Sequence, residues 1–401
     1  MSVKIFTMAH KKFEPPKDSM YVPLHVGKAA GTDLGFLGDD TGDNISHLNR
    51  YYSELTGVYW IWKNYTQSDY VGVCHYRRYL VNENDRAFTE REYLDILKKY
   101  DIITTKRLKL NCDYYDGYAA NHHIKDLMAT GEVIKERYPE YYEVYDKTVH
   151  SNETYFGNIC VTSKALFDEY ASWLFGIFFE VQKRIDIDSY DDYHKRVFGF
   201  ISEILLLVWV KAKKLRPYEC KVGMLCEKIE TMEMKSALAV YFQEKDIQGA
   251  KTYFSESLKK RPDVLMEASD INGELKLAMQ VIATSDMEYA QMKTSVLDQI
   301  NEFAILMLYF RNLNDIVERY KFKKASAADA RYLLEHKMSA IAIEIATMIF
   351  CTSESEIIDT MLRIARDLAG TDRAREICAR CHKHTVDEKE LQKINFVAFC
   401  K

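Results

Sequence analysis

The sequence predicts an α/β domain with a mostly parallel sheet, followed by an α-helical domain. Three observations carry this. Short apolar runs alternate with helical stripes over the first half of the chain, the pattern of strand–helix–strand units. All four tryptophans (Trp60, Trp62, Trp173, Trp209) and most of the 28 tyrosines lie before residue 220. Beyond about residue 230 the chain is rich in Ala, Leu, Ile, Met, Lys and Glu, and only Pro262 interrupts it. The domains read as 1–225 and 230–401, joined near residues 217–228.

Residues 3–9 are a short apolar run suited to a buried first strand. A Gly/Asp-rich loop follows over 31–43. Ile45, Leu48, Tyr52, Leu55, Tyr59 and Trp62 then fall three or four residues apart, one continuous helical stripe with Asn44 or Ser46 as N-cap. Residues 70–74, 101–104 and 155–162 read as further strands. Ser163 opens a helix carrying Leu166, Tyr170, Trp173, Leu174, Ile177 and Val181, and a last helix spans 195–210. In the second domain Tyr241, Ala250, Phe254, Ser257 and Pro262 fit the spacing of a roughly 34-residue helix–turn–helix repeat. No second copy follows, and such a unit needs neighbours to bury its faces. A helical bundle or array is the reading.

Composition excludes several classes. With 55 basic against 60 acidic residues and a net charge of −5, the chain is not a globally basic nucleic-acid binder. Nine cysteines without a signal-type apolar core ahead of them read as free thiols in a reducing compartment. The longest apolar run, 204–210, is far short of the ~20 residues that a spanning helix needs. A cytoplasmic protein is expected, with peripheral contact at the inner membrane face through the basic run Lys211-Ala-Lys-Lys-Leu-Arg216. No dinucleotide, P-loop or nucleophile-elbow motif occurs.

The densest chemical signal is Asp69-Tyr-Val-Gly-Val-Cys-His75-Tyr76-Arg77-Arg78-Tyr79. A buried strand delivers a His and two Arg to its carboxyl end, where ligands bind in open α/β sheets. Two guanidiniums there suit a diphosphate; a surface charge pair is the plain alternative. The loop before the helix holds Asp39, Asp40, Asp43 and Asn44, able to bind sugar hydroxyls, ribose or a metal, or simply to form a solvated turn and cap. Asp186-Ile-Asp188 is a literal Asp-X-Asp, though it follows a helix rather than a strand. Cys378-Ala-Arg-Cys381-His382 matches the c-type haem pattern by coincidence, since haem attachment needs export; zinc on Cys378, Cys381, His382 and His384 is the other reading. Glu203 shares a helix face with Phe200, Ile204 and Leu207. It is either paired to a cation such as Arg196 or raised in pKa for proton transfer.

These strings resemble a family long classed as a domain of unknown function, whose members occur in bacterial capsule, exopolysaccharide and O-antigen clusters and look like glycosyltransferases. The resemblance rests on Asp40-Thr-Gly-Asp-Asn-Ile-Ser, Tyr52-Ser-Glu-Leu-Thr-Gly-Val-Tyr-Trp-Ile-Trp-Lys-Asn64, the His75-Tyr-Arg-Arg string, and the segments at 158–175 and 193–203. It covers about residues 1–215; this chain carries Ile159-Cys160 where members have Met-Phe. It implies a nucleotide-sugar fold of the A type (GT-A) using a UDP-hexose, with the usual Asp-X-Asp replaced by His75-Tyr-Arg77-Arg78.

The resulting expectation is a hexosyltransferase acting on a surface polysaccharide or lipid-linked acceptor. Arg77 and Arg78 hold the diphosphate and His75 donates to it. Asp39, Asp40, Asp43 and Asn44 hold the donor. Asn158 and Tyr76 meet the acceptor, and Glu203 or Asp101 serves as base. No metal is obligatory, although one carried by the acidic loop is the alternative. The rivals are a non-catalytic carbohydrate-binding scaffold and a nucleotide-sugar hydrolase or phosphotransferase.

Overall fold

Strand β1 (Val3–Ala9) is buried along nearly its whole length, as an apolar run inside a two-sided layer must be. It pairs in parallel with β2 (Tyr21–His25) on one side and β4 (Tyr70–His75) on the other, with Val3 opposite Tyr70 and Met8 opposite His75. β3 (Leu37–Gly38) adds to β2 in the same direction. This computed structural model describes residues 1–224, 227–265 and 269–383.

The chain divides into two compact units, Met1–Leu225 and Cys226–Lys401. In the first, β5 (Arg78–Val81) folds back antiparallel on β4. β6 (Ile102–Thr105) and β9 (Cys160–Ser163) pair antiparallel, and β9 also pairs antiparallel with β4. A small two-stranded sheet of β7 (Leu108–Lys109) and β8 (Glu153–Thr154) stands apart. β10 (Pro217–Met224) lies between β5 and β6. The sheet is therefore mixed, where the sequence predicts a mostly parallel one: β5 and β9 run against the other strands. The segment expected to be linker at 217–224 is a paired strand of this sheet.

The predicted stripe at 45–62 is not one helix. It is a 3-10 turn Ser46–Leu48, a short helix Asn49–Tyr52 and a second helix Leu55–Asn64. The break is at Ser53, which has φ 51 and whose carbonyl accepts from the Asn49 side-chain amide at 2.7 Å. Helix Val197–Ala212 is apolar but for Ser202, Glu203 and Lys211 and is buried nearly throughout, which accounts for the 204–210 run as core. The basic run after it is drawn into ion pairs: Lys211 with Glu153, Lys213 with Glu169, Arg216 with Asp101. Those pairings leave little free charge for a membrane surface. Among the described residues no helix is long and apolar enough to cross a membrane.

The described residues of the second unit are helical from Ile229–Glu244 onward and have their own apolar core. Ala250 and Phe254 of helix Ile247–Lys260 are buried, and Tyr241 packs on Tyr253. The next two long helices, Glu274–Met292 and Phe303–Lys321, exceed the length of that hairpin's members, so the repeat spacing is not continued. His384 and the side chain of His382 lie outside the described residues.

Candidate active site

Because β1 to β4 run in parallel, their carboxyl ends share one edge of the sheet. β4 ends there at His75 and turns through Tyr76-Arg77 into β5, so that His75 faces Arg78 across the hairpin. β9 runs the other way, so the loop that precedes it, Gly157-Asn158, arrives at the same edge. Both residues have positive φ, 85 and 51, which delays the start of the predicted strand 155–162 to Cys160 and turns the preceding loop over His75. Helix Val197–Ala212 enters beside them.

A continuous hydrogen-bond network joins these elements. The Gly157 carbonyl can only accept, so His75 Nε2 carries the hydrogen that reaches it at 2.5 Å. The Gly157 amide donates to Glu203 Oε1 at 2.9 Å. The Asn158 side-chain amide donates to Glu54 Oε1 at 2.7 Å and to the Gly199 carbonyl at 3.2 Å. Gly199 has no room for a side chain larger than hydrogen without displacing Ser53, whose Oγ would lie 3.2 Å from a Cβ.

Electrostatics follow from packing. Burial lowers His75 to about 4, helped by Arg78 and Arg77 and opposed by Glu54 and the Gly157 hydrogen bond. The imidazole is neutral at pH 7. Burial raises Glu203 to about 8, with Glu54 adding to it and the Gly157 amide, Arg78 and Arg196 opposing. Burial and Arg77 together lower Arg78 to about 10, against Glu203 and Glu54. The Arg78 guanidinium stacks over Phe156 at 4.9 Å, and its buried Nε has no hydrogen-bond partner among the described residues. His75, Arg78, Glu54 and Glu203 are crowded by protein yet keep some exposure. Arg77 is buried.

The model of a family described as a domain of unknown function, DUF4422, matches residues 4–214. The chain belongs to the DUF4422 family. The match contains every residue of the network above. The chain is also similar to a solved structure described as the apo form of WbbM, a bifunctional glycosyltransferase, with 31% identity and a TM-score of 0.54. That likeness covers 57% of this chain and 46% of WbbM, so the chain spans less than half of the length of that enzyme. No curated protein matches the sequence.

Within the DUF4422 region the expected site residues do not all converge. His75, Arg77, Arg78 and Glu203 do. Asp101 does not: it precedes β6 at the far end of the strands, where Arg216 holds it at 2.8 Å. Distance and an occupied carboxylate remove it as a base. Asp39 is fully buried and accepts from the Gly27 and Lys28 amides and from Ser46 Oγ, so it ties its loop together rather than meeting a ligand. Asp43 accepts from Tyr59 at 3.0 Å and Asn44 braces the Gly42 turn; Asp40 is exposed. Asn158 is buried and its side-chain NH2 is committed to Glu54 and Gly199, which makes it a positioning residue. Nor can His75 donate to a diphosphate in its neutral form, because its one ring hydrogen goes to Gly157. Tyr76 joins His10 and Phe13 in an aromatic shelf, with ring centroids 5.3 and 5.9 Å away.

Glu54 and Gly157 complete the site without having stood out in the sequence. Glu54 lay inside the matching Tyr52-Ser-Glu string, but a continuous helix gave no reason to single it out. Asp188 is held by Arg50 and Tyr51. Among the described residues no group of three or more His, Cys, Asp or Glu side chains is placed to hold a metal. A cavity of about 270 Å³ lies by the C-terminal half of helix Val197–Ala212, lined by Arg107, Lys211, Lys214 and Glu219 among others. The network's charged groups do not line it.

Proposed function

We propose that the chain is a glycosyltransferase that moves a hexose from a UDP-sugar to a surface polysaccharide or a lipid-linked glycan. The observation that carries this is the meeting of Arg77, Arg78 and a basic carboxylate, Glu203, at one strand edge. Likeness to a bifunctional glycosyltransferase supports the reaction class.

Glycosyl transfer needs two things: a counter-charge for the departing nucleoside diphosphate and a base for the acceptor hydroxyl. The guanidiniums of Arg77 and Arg78 supply the first through charge-assisted hydrogen bonds. Ionised Glu203 supplies the second. Its Oε1 is held by the Gly157 amide and Oε2 takes the acceptor proton as the sugar–phosphate bond breaks and the new glycosidic bond forms. His75 holds the Gly157 peptide in place by its carbonyl and is a positioning residue. The shelf of Tyr76, Phe13 and His10 suits the nucleobase.

A-type folds often place a divalent cation on the diphosphate. The donor set at this strand end, a neutral His beside two arginines, is a poor fit for one, since the guanidiniums repel it. The reading is a metal-independent transferase, with the helical unit serving assembly or acceptor presentation. UDP release from a panel of UDP-hexoses with glycan acceptors, in excess EDTA, tests it. Turnover is expected. Absence of turnover alongside tight glycan binding would favour a non-catalytic scaffold instead.

A further inference from the structure

Beside the charged network stands a group of rings with no task in the chemistry above. His122 follows helix Tyr114–Asn121, Tyr193 and His194 precede helix Val197–Ala212, and Phe200 lies in that helix's first turn. The His122 ring stacks on Phe200 with centroids 4.4 Å apart and planes 27° from parallel. It lies near-parallel to Tyr193 at 5.9 Å, and Tyr193 in turn reaches Phe200 at 5.1 Å. All three rings are half-buried and keep part of their surface in solvent.

The group is built, not incidental. His194 fixes the two segments to each other, through Asp191 Oδ2 at 2.6 Å and the Asn121 carbonyl at 3.0 Å. The Tyr114 hydroxyl donates to the Phe200 carbonyl at 3.3 Å. The group is also continuous with the catalytic network. Phe200 lies three residues before Glu203, so the two side chains share one face of the helix. Arg196 covers the Phe200 ring at 5.3 Å and bonds to Ser53, the residue before Glu54, at 3.3 Å. The rings therefore border Glu203 and Arg196, whereas the Tyr76 shelf borders Arg77.

Two features fit a saccharide. Rings that keep part of their surface in solvent suit the C–H face of a sugar, and the polar edges nearby suit its hydroxyls. His122 is neutral: burial lowers it to about 4, with His194, His123 and Arg196 acting in the same direction. Its buried Nδ1 has no hydrogen-bond partner among the described residues.

We propose that His122, Tyr193 and Phe200 form the platform that holds the terminal, uncharged sugar of the acceptor glycan against Glu203. This rests on the glycosyl-transfer reading. A nucleobase stacks on rings equally well, but in that reading the base lies on the Arg77 side, and Glu203 must touch an acceptor hydroxyl.

The test is saturation-transfer NMR on the full chain with methyl galactopyranoside, glucopyranoside and mannopyranoside, in the presence of UDP. At least one glycoside is expected to receive saturation from the wild-type chain. Tyr193→Ala and His122→Ala should each weaken that glycoside at least tenfold, while Tyr193→Phe keeps it. UDP affinity by calorimetry should be unchanged in all three, which also shows that they fold. The proposal is overturned if Tyr193→Ala binds the glycoside as wild type does, if UDP affinity falls in parallel, or if no glycoside binds a chain that binds UDP. A wild-type chain that binds neither UDP nor a UDP-hexose would sink the glycosyl-transfer reading itself, and this platform with it.

Discussion

Gly157 and Glu203 are joined by a 2.9 Å hydrogen bond from amide to carboxylate, while the same residue's carbonyl receives the His75 hydrogen. One residue thus lies between a neutral imidazole and the proposed base. The amide favours the ionised carboxylate and burial disfavours it; burial wins, leaving Glu203 at about 8. A base so placed is half-ionised at about pH 8 and strong enough to take a hydroxyl proton in the transition state.

The first prediction concerns rate and pH. Turnover should rise with pH through about 8, because the ionised form of Glu203 is the active one. Glu203→Gln should lose about 10²–10⁴-fold in kcat and lose that limb, with UDP affinity retained. A pH profile that stays flat from 6 to 9 would assign the base elsewhere.

Stability should carry the same signature with opposite sign. The folded chain holds a proton on Glu203 that an unfolded carboxyl releases near 4.5, so this contribution is full below 4.5 and lost as pH rises through about 8. His75 works in the other direction: its folded value of about 4 lies below the ordinary 6.5, so stability is lost as pH falls from 6.5 toward 4. Thermal melts of wild type and Glu203→Gln should therefore converge, or cross in favour of the variant, between pH 5 and 9. A constant difference would contradict the assignment.

How much of this was legible beforehand depends on range. β1 and β4 show as apolar runs because a strand buried on both faces leaves a local trace, and His75-Tyr-Arg-Arg at the end of β4 comes with them. Ser53 leaves none: the apolar spacing runs unbroken across it, so the kink that begins a new helix behind Glu54 is invisible to periodicity. Asp101 looked like a free acid because its partner, Arg216, is 115 residues away. Asp39 looked like a ligand for sugar because its amide partners, Gly27 and Lys28, belong to another strand's end. Local pattern identifies side chains delivered to an edge; only pairing across the sheet shows which of them are already occupied.

Arginine substitutions separate diphosphate binding from loop binding. Arg77→Ala and Arg78→Ala should each weaken UDP by about 1.5–3 kcal/mol, the usual worth of a hydrogen bond to a charged group. Asp40→Ala, on an exposed side chain, should leave UDP affinity near wild type. Calorimetry in EDTA reads all three. Near-normal affinity in both arginine variants would move the diphosphate to another part of the edge.

Gly157→Ala should destabilise the chain by about 1–2 kcal/mol, since a side chain at φ 85 meets its own backbone. The Cβ itself has room, its nearest neighbour being Arg78 Nη1 at 3.4 Å. The cost is therefore conformational, and a melt that matches wild type would show that the loop adopts another conformation.

The sharpest prediction uses Glu54, which touches neither His75 nor Glu203 by hydrogen bond but acts on both through its charge. It raises Glu203 as a like charge and raises His75 as an opposite one. Glu54→Gln keeps an oxygen for the Asn158 amide and so preserves the loop, while removing the charge. Both titrations should then move downward together: the alkaline limb of turnover falls below about 8, and the His75 resonance followed by NMR falls below about 4. A purely structural role for Glu54 predicts neither shift. Opposite movements, one up and one down, would mean that the loop has rearranged and that the charge coupling argued here is not what sets the base.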